Sequence, residues 1–288
     1  RIPLPETRSF AAMPTDSTFD LIFRHACLRG HDGPVDLGVR AGRFAAIAPC
    51  IVSDAPEIEL GGRAVLPGFV DSHVHLDKAC LLDRCGHIHG GLKGAIAAVS
   101  AMKREFTVED VHARGARVIE MAIAKGTTRM RTHVEVDPRA GLRSFHAIQA
   151  LKRDYAWGLD LSICAFPQEG LTNDPGTEDL LVAALQDGAE ILGGCPYTDT
   201  DPHGQIARLF ALAARFDVDL DVHLDFDLDP GWMHLDEVCR QTIAHGYGGR
   251  VAIGHATKLS MLAPDDLSRV ADRLAQAGVA VTVLPSTD

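Results

Sequence analysis

The run GFVDSHVHLDKA, Gly68 to Ala79, places two histidines, an aspartate and a lysine in apolar surroundings. His73, His75 and Asp77 alternate, so on an extended strand their side chains share one face. Two imidazoles about 6–7 Å apart along one face can close on a single metal ion. A His-x-His pair alone is a weak signal, but three later runs repeat the theme. DVHLDFD carries His223, where a third ligand would sit. IGHAT carries His255. RTHVEVD carries His133, with Glu135 and Asp137 on the same face. Any one of these histidines reads as an ordinary hydrogen-bonded residue. Four apolar runs, each delivering histidine at its end, point to a shared rim.

Elements of the right kind exist to build that rim. From Arg63 onward, apolar runs alternate with amphipathic ones. The strand-like runs are AVLPGFVDSHVHL, TTRMRTHVEV, DLSICAFPQ, EILGGCPY, VDLDVHLDFD, RVAIGHAT and VAVTVLPST. Between them lie helical stretches such as TVEDVHARGARVIEMAIAKG and PDDLSRVADRLAQAG, several closing on Gly. Thr107 and Asp110 offer a capping box. Strand–helix alternation predicts a parallel α/β fold. Polar residues end almost every strand, which favours a (β/α)8 TIM-type barrel over a doubly wound sheet, whose polar residues gather at one switch point. Seven strands are visible and the chain stops at VLPSTD, so an eighth is expected beyond Asp288. Residues 1–62 read as an N-terminal segment with a small β-sandwich portion, and 63–288 as the barrel. His87 and His89 lie in a Gly-rich stretch that reads as a lid. His112, His146, His234 and His245 read as solvent-facing.

Composition excludes several classes of partner. A formal net charge of −11 with no Lys/Arg cluster argues against nucleic acid and anionic membranes. No apolar run approaches the ~20 residues that span a bilayer. The seven cysteines are scattered, without a Cys-x-x-Cys pair, which fits reduced thiols in a cytoplasmic protein better than a disulfide framework.

The ordered set PGFVDSHVHLDKA, RTHVEVD, AFPQEG, DVHLDFD and AIGHAT resembles the amidohydrolase superfamily, in its cytosine deaminase-like branch. The likeness runs over most of Leu66 to Asp288. It implies a (β/α)8 barrel with a β-sandwich made from both chain ends, and one catalytic divalent metal ion, zinc or iron. By position it makes His73, His75 and His223 metal ligands, and His255 the residue that orients the attacking water. Gln168 matches a contact to a substrate ring amide, and Lys78 and His133 are further candidate substrate contacts. The family's habit of assembly implies a homo-oligomer.

The resemblance implies metal-dependent hydrolysis of a non-peptide C–N bond in a small, cyclic, nitrogen-rich substrate. The metal lowers the pKa of water from ~15.7 towards ~7 to give a nucleophile. Two departures stand out. Deaminases of the branch carry a proton-shuttling Glu three residues after the strand-five histidine, where this chain has Phe226. Asp225 and Asp227, both on the His223 face of an alternating strand, are left as substitutes, with His255 itself the other acid. The family's last ligand, an aspartate after strand eight, is not matched by Asp288. The alternatives are therefore a hydrolytic deaminase using one of these Asp residues, and a catalytically inactive ligand-binding relative.

Overall fold

Short β-branched and aromatic runs broken by Gly turns form the first of two units, Arg1–Pro67 and Gly68–Asp288, in the computed structural model, which describes residues 19–85 and 91–285. His87, His89 and Asp288 lie outside the described residues. The first unit holds β1 (Leu21–Ala26), β2 (Val35–Arg40), β3 (Arg43–Ala48) and β4 (Glu57–Glu59), in the order β3-β2-β1-β4. Ala41 and Gly42 join β2 to β3, both with positive φ, as the twist of a tight hairpin requires. One face packs Phe19, Ile22, Ala46 and Ile51 together, and the other Ala26, Val35 and Leu37. A bridge between Cys27 and Ala64 ties residues past 62 to this sheet, so the boundary expected at 62/63 falls at 67/68.

The second unit alternates strand and helix. Its strands are β5 (Phe69–Val74), β6 (Thr127–Glu135), β7 (Asp160–Phe166), β8 (Ile191–Gly194), β9 (Asp219–Leu224), β10 (Val251–His255) and β11 (Val279–Thr282). Its helices are α1 (Gly91–Met102), α2 (Val108–Ala124), α3 (Arg143–Asp154), α4 (Thr177–Gln186), α5 (Pro202–Phe216), α6 (Leu235–Ala244) and α7 (Pro264–Ala277). All seven strands are parallel and lie in sequence order, curling into a nearly closed barrel. Among the described residues, β5 and β11 each keep a free edge, and a cavity of about 460 Å³ lies between Phe69–His73 and Thr282–Pro285.

Local chemistry explains the element ends. The Thr107 hydroxyl accepts from the Asp110 backbone N–H at 3.2 Å and starts α2. Gly278, with φ +69°, stops α7 and lies 3.0 Å from Gly248 measured from where a Cβ would stand, so only glycine fits. The helices bury one stripe each: Val270, Leu274 and Ala277 on α7, and Phe145, Ala147, Ile148 and Leu151 on α3. No helix among the described residues is long and apolar enough to cross a membrane.

Candidate metal centre and pocket

The C-terminal ends of the strands deliver five imidazoles to one point. The ring of His73 lies 5.3 Å from that of His75, 4.1 Å from His133, 4.6 Å from His223 and 5.1 Å from His255, centroid to centroid. Ring nitrogens of His73, His223 and His255 all lie within 4.8 Å of one another. The Nε2 atoms of His75 and His223 are 3.1 Å apart. Two imidazoles sharing a tetrahedral metal at about 2.0–2.1 Å would set their nitrogens about 3.3–3.4 Å apart, so this spacing suits a shared cation. Gly254 makes room for the group. A Cβ there would stand 2.9 Å from His73 Cε1, which gives the glycine of IGHAT its reason.

The electrostatics favour neutral, ligating imidazoles. Burial, helped by the neighbouring His133, lowers the pKa of His73 to about 3. Burial also holds His75 and His223 well below the ordinary histidine value. Among the described residues, both ring nitrogens of His73 and Nδ1 of His75 and His223 are buried with no hydrogen-bond partner. Buried lone pairs without partners are costly unless something binds them. The donor set fits a divalent cation of the borderline class. Phe166 stacks on His223 at 4.7 Å and fixes its plane.

Above these rings opens a cavity of about 460 Å³. Ala95, Ile96 and Val99 of α1 form an aliphatic wall, with Tyr197, Phe226 and Leu284 beside it. Lys78, Glu135 and Gln168 form a polar one. Lys78 Nζ pairs with one Glu135 oxygen and donates to Gln168 Oε1 at 3.2 Å. Because lysine only donates, Gln168 turns its amide nitrogen the other way, to Cys195 Sγ at 3.2 Å. Behind this wall sits Lys103, 1% exposed. It meets the second Glu135 oxygen at 2.8 Å, Glu169 at 2.8 Å, and Asp137. Burial alone would raise the Glu135 pKa, but the two ammonium groups hold it below the usual carboxylate value. Asp77 accepts from the Glu135 backbone N–H at 2.9 Å, and its burial near that carboxylate raises it to about 6.

Several expected residues stand elsewhere. His133 is fully buried between His73 and Asp221 and does not line the cavity, because it precedes the end of β6 by two residues. Asp221 Oδ1 lies 3.5 Å from His133 Nε2, and Arg131 holds the other oxygen at 2.7 Å. Neither Asp225 nor Asp227 reaches the cavity. Strand β9 ends at Leu224, and Asp225 takes a left-handed φ of +50°. That turn resets the alternation, so Phe226 points inward and stacks on His255 at 3.8 Å and 15°. The Asp225 carboxylate instead accepts from the backbone N–H groups of His234 (2.9 Å) and Leu235 (3.2 Å), capping α6. Asp227 is half-exposed and pairs with Lys258 at 3.2 Å. His234, expected in solvent, is buried, and desolvation lowers it to about 4.

Comparison with known proteins places these features in company. A sequence model of an amidohydrolase family matches residues 93–288. The chain is 31% identical, over 83% of its length, to N-isopropylammelide isopropyl amidohydrolase of Pseudomonas sp. (strain ADP), and spans 61% of that relative. The solved N-isopropylammelide isopropylaminohydrolase of Burkholderia multivorans superposes with a TM-score of 0.80 at 32% identity, covering 91% of this chain and 67% of that one. The 5-methylcytosine deaminase of Klebsiella pneumoniae, liganded with 5-fluorocytosine, gives 0.81 at 28% identity, covering 90% and 64%.

Proposed function

Because the chain belongs to the amidohydrolase family, we propose that it hydrolyses a non-peptide C–N bond of a small, cyclic, nitrogen-rich compound, with one divalent metal ion in the barrel mouth. The observation that carries this reading is the convergence of His73, His75, His223 and His255 beneath a cavity with one polar and one apolar wall. His73, His75 and His223 would hold the metal, zinc or iron. When bound, it supplies a Lewis acid and lowers the pKa of nearby water.

The chain's own residues supply the rest. Lys78 presents a donor to a ring carbonyl or ring nitrogen, Glu135 fixes that lysine, and Gln168 lines the same wall with its amide oxygen on the lysine. The aromatic faces of Phe226 and Tyr197 suit a planar ring. His255 moves the proton that the departing nitrogen needs, because the carboxylates that follow His223 point elsewhere. Phe226 at the cavity weighs against deamination by a carboxylate shuttle and leaves histidine-assisted release of an amine as the favoured form. A net charge of −11 and seven free thiols suit a small-molecule enzyme of the reducing cytoplasm.

The test is release of ammonia or alkylamine by the metal-loaded protein from aminopyrimidines, N-alkylamino triazines and cyclic ureas. Turnover of at least one, abolished by chelation and by His255→Ala, is expected. Stoichiometric metal with no turnover of any would instead indicate a ligand-binding protein.

A further inference from the structure

One buried cation belongs to no part of the reaction described above. Lys258 lies three residues after His255, is 1% exposed, and does not line the cavity. Its Nζ donates to the Trp232 carbonyl at 2.9 Å, pairs with Asp227 at 3.2 Å, and sits 3.7 Å from the centroid of the Trp232 ring. An ammonium taken from water needs such partners, and here a carboxylate, a carbonyl and an aromatic face supply them. All three lie on one segment, residues 225–232, which follows β9. The adjoining Thr257 hydroxyl adds donations to the Asp225 carbonyl (3.2 Å) or the Asp227 carbonyl (3.0 Å), and the Lys258 backbone N–H reaches the Asp225 carbonyl at 3.3 Å.

The segment so held carries Phe226, whose ring lies flat on His255. Both partners of that stack depend on unusual backbone. Asp225 has φ +50°, His255 +69° and Ala256 +52°, a left-handed region that non-glycine residues enter uncommonly and Asp and His more readily than Ala. Thr257 and Lys258 stand next to these residues and join the turn after β9 to the turn after β10.

We propose that Lys258 is a positioning residue that fastens the 225–232 segment across the turn after β10, holding Phe226 on His255 and thereby fixing the pose of His255 and the shape of the pocket. Its consequence for turnover rests on the reading of His255 given above.

The test compares Lys258→Met with Lys258→Arg. Met keeps length without charge, and the half-exposed Asp227 it orphans stays solvated. The readout is the His255 ring-proton resonance in histidine-labelled protein, assigned by its loss in His255→Ala. The face of Phe226 shifts that signal upfield, and Phe226→Ala marks the unstacked position. Lys258→Met should move the signal to that position, while Lys258→Arg, which retains the donors, should keep it near wild type. In a Trp157→Phe background, Trp232 should also become more open to acrylamide in Lys258→Met. On any substrate found, kcat should fall about 10- to 100-fold with KM little changed, the scale expected of a misplaced catalytic group. An unmoved His255 signal in Lys258→Met overturns the proposal. If that variant does not fold, Thr257→Val with Asp227→Ala unfastens the same clasp, and an unmoved signal there overturns it as well. Failure of every substrate leaves the resonance test standing, so the two readings fail separately.

Discussion

Replacing Asp225 separates a structural carboxylate from a catalytic one. Its side chain is 1% exposed and accepts from the His234 and Leu235 N–H groups at the start of α6. Asp225→Ala removes a helix cap, worth about 0.5–2 kcal/mol, and leaves buried donors unpaired, at about 1–3 kcal/mol. A total loss of about 1.5–5 kcal/mol follows from those two costs together. For domains of this size each kcal/mol shifts Tm by about 2–4 °C, so a fall on the order of 10 °C is expected. Asp225→Asn keeps an acceptor, and burial already raises the pKa of the native carboxyl, so its charge is the costly part. Because one backbone N–H then faces the new amide nitrogen, that variant should lose about 1–3 kcal/mol, less than Asp225→Ala, and keep near-normal turnover. Scanning calorimetry beside an amine-release assay reads both. If Asp225→Asn abolishes turnover while Tm holds, the capping account is refuted and Asp225 is the proton shuttle.

Lys103→Met strips the buried Asp137 of its ammonium and leaves Glu135 with Lys78 alone, and a loss of about 3–5 kcal/mol is expected from denaturant unfolding. A loss under about 1 kcal/mol, the worth of a surface pair, would contradict the buried hub. In metal-free protein, His73 titrates at about 3, and His75 and His223 lie well below their ordinary value, against about 6.5 when unfolded. The unfolded chain therefore binds more protons between pH 6.5 and 3. The imidazole contribution is complete above pH 6.5 and is lost as pH falls, by about 1.4 kcal/mol per pH unit per imidazole. Chemical denaturation across that range checks it, and stability flat from pH 7.5 to 4.5 would count against the buried cluster. Gly254→Ala would put a methyl 2.9 Å from His73 Cε1, costing about 1–3 kcal/mol and displacing that ligand. Unchanged metal affinity in that variant would show the contact to be unimportant.

Features of this chain are legible in its sequence as far as regular structure extends. Strand–helix alternation is a local signal repeated seven times, and the parallel barrel follows from it. Parity along β5 put His73 and His75 on one side, and their rings do lie 5.3 Å apart, although β5 ends at Val74 and His75 stands one residue past it. The same parity misplaced Asp225 and Asp227, since one left-handed residue after Leu224 exchanges inside for outside. Phe226 thus faces the pocket by backbone geometry that no alternation pattern reveals. His133 was expected at the rim but lies a layer deeper, because counting from the end of β6 places Glu135, not His133, at the cavity. Asp221 was within reach, two residues before His223 on the same face. Lys103 was not. Its partners lie 32 and 34 residues away in sequence, and a lysine near the end of an amphipathic stretch normally reads as solvated.

The central claim is that His223, with His73 and His75, holds a metal on which turnover depends. Metal content by elemental analysis, in wild type and in His223→Ala, tests it most directly. One divalent ion per wild-type chain is expected, with metal and amine release both lost from a His223→Ala protein whose circular dichroism is unchanged. Full metal occupancy and full activity in that variant would contradict it.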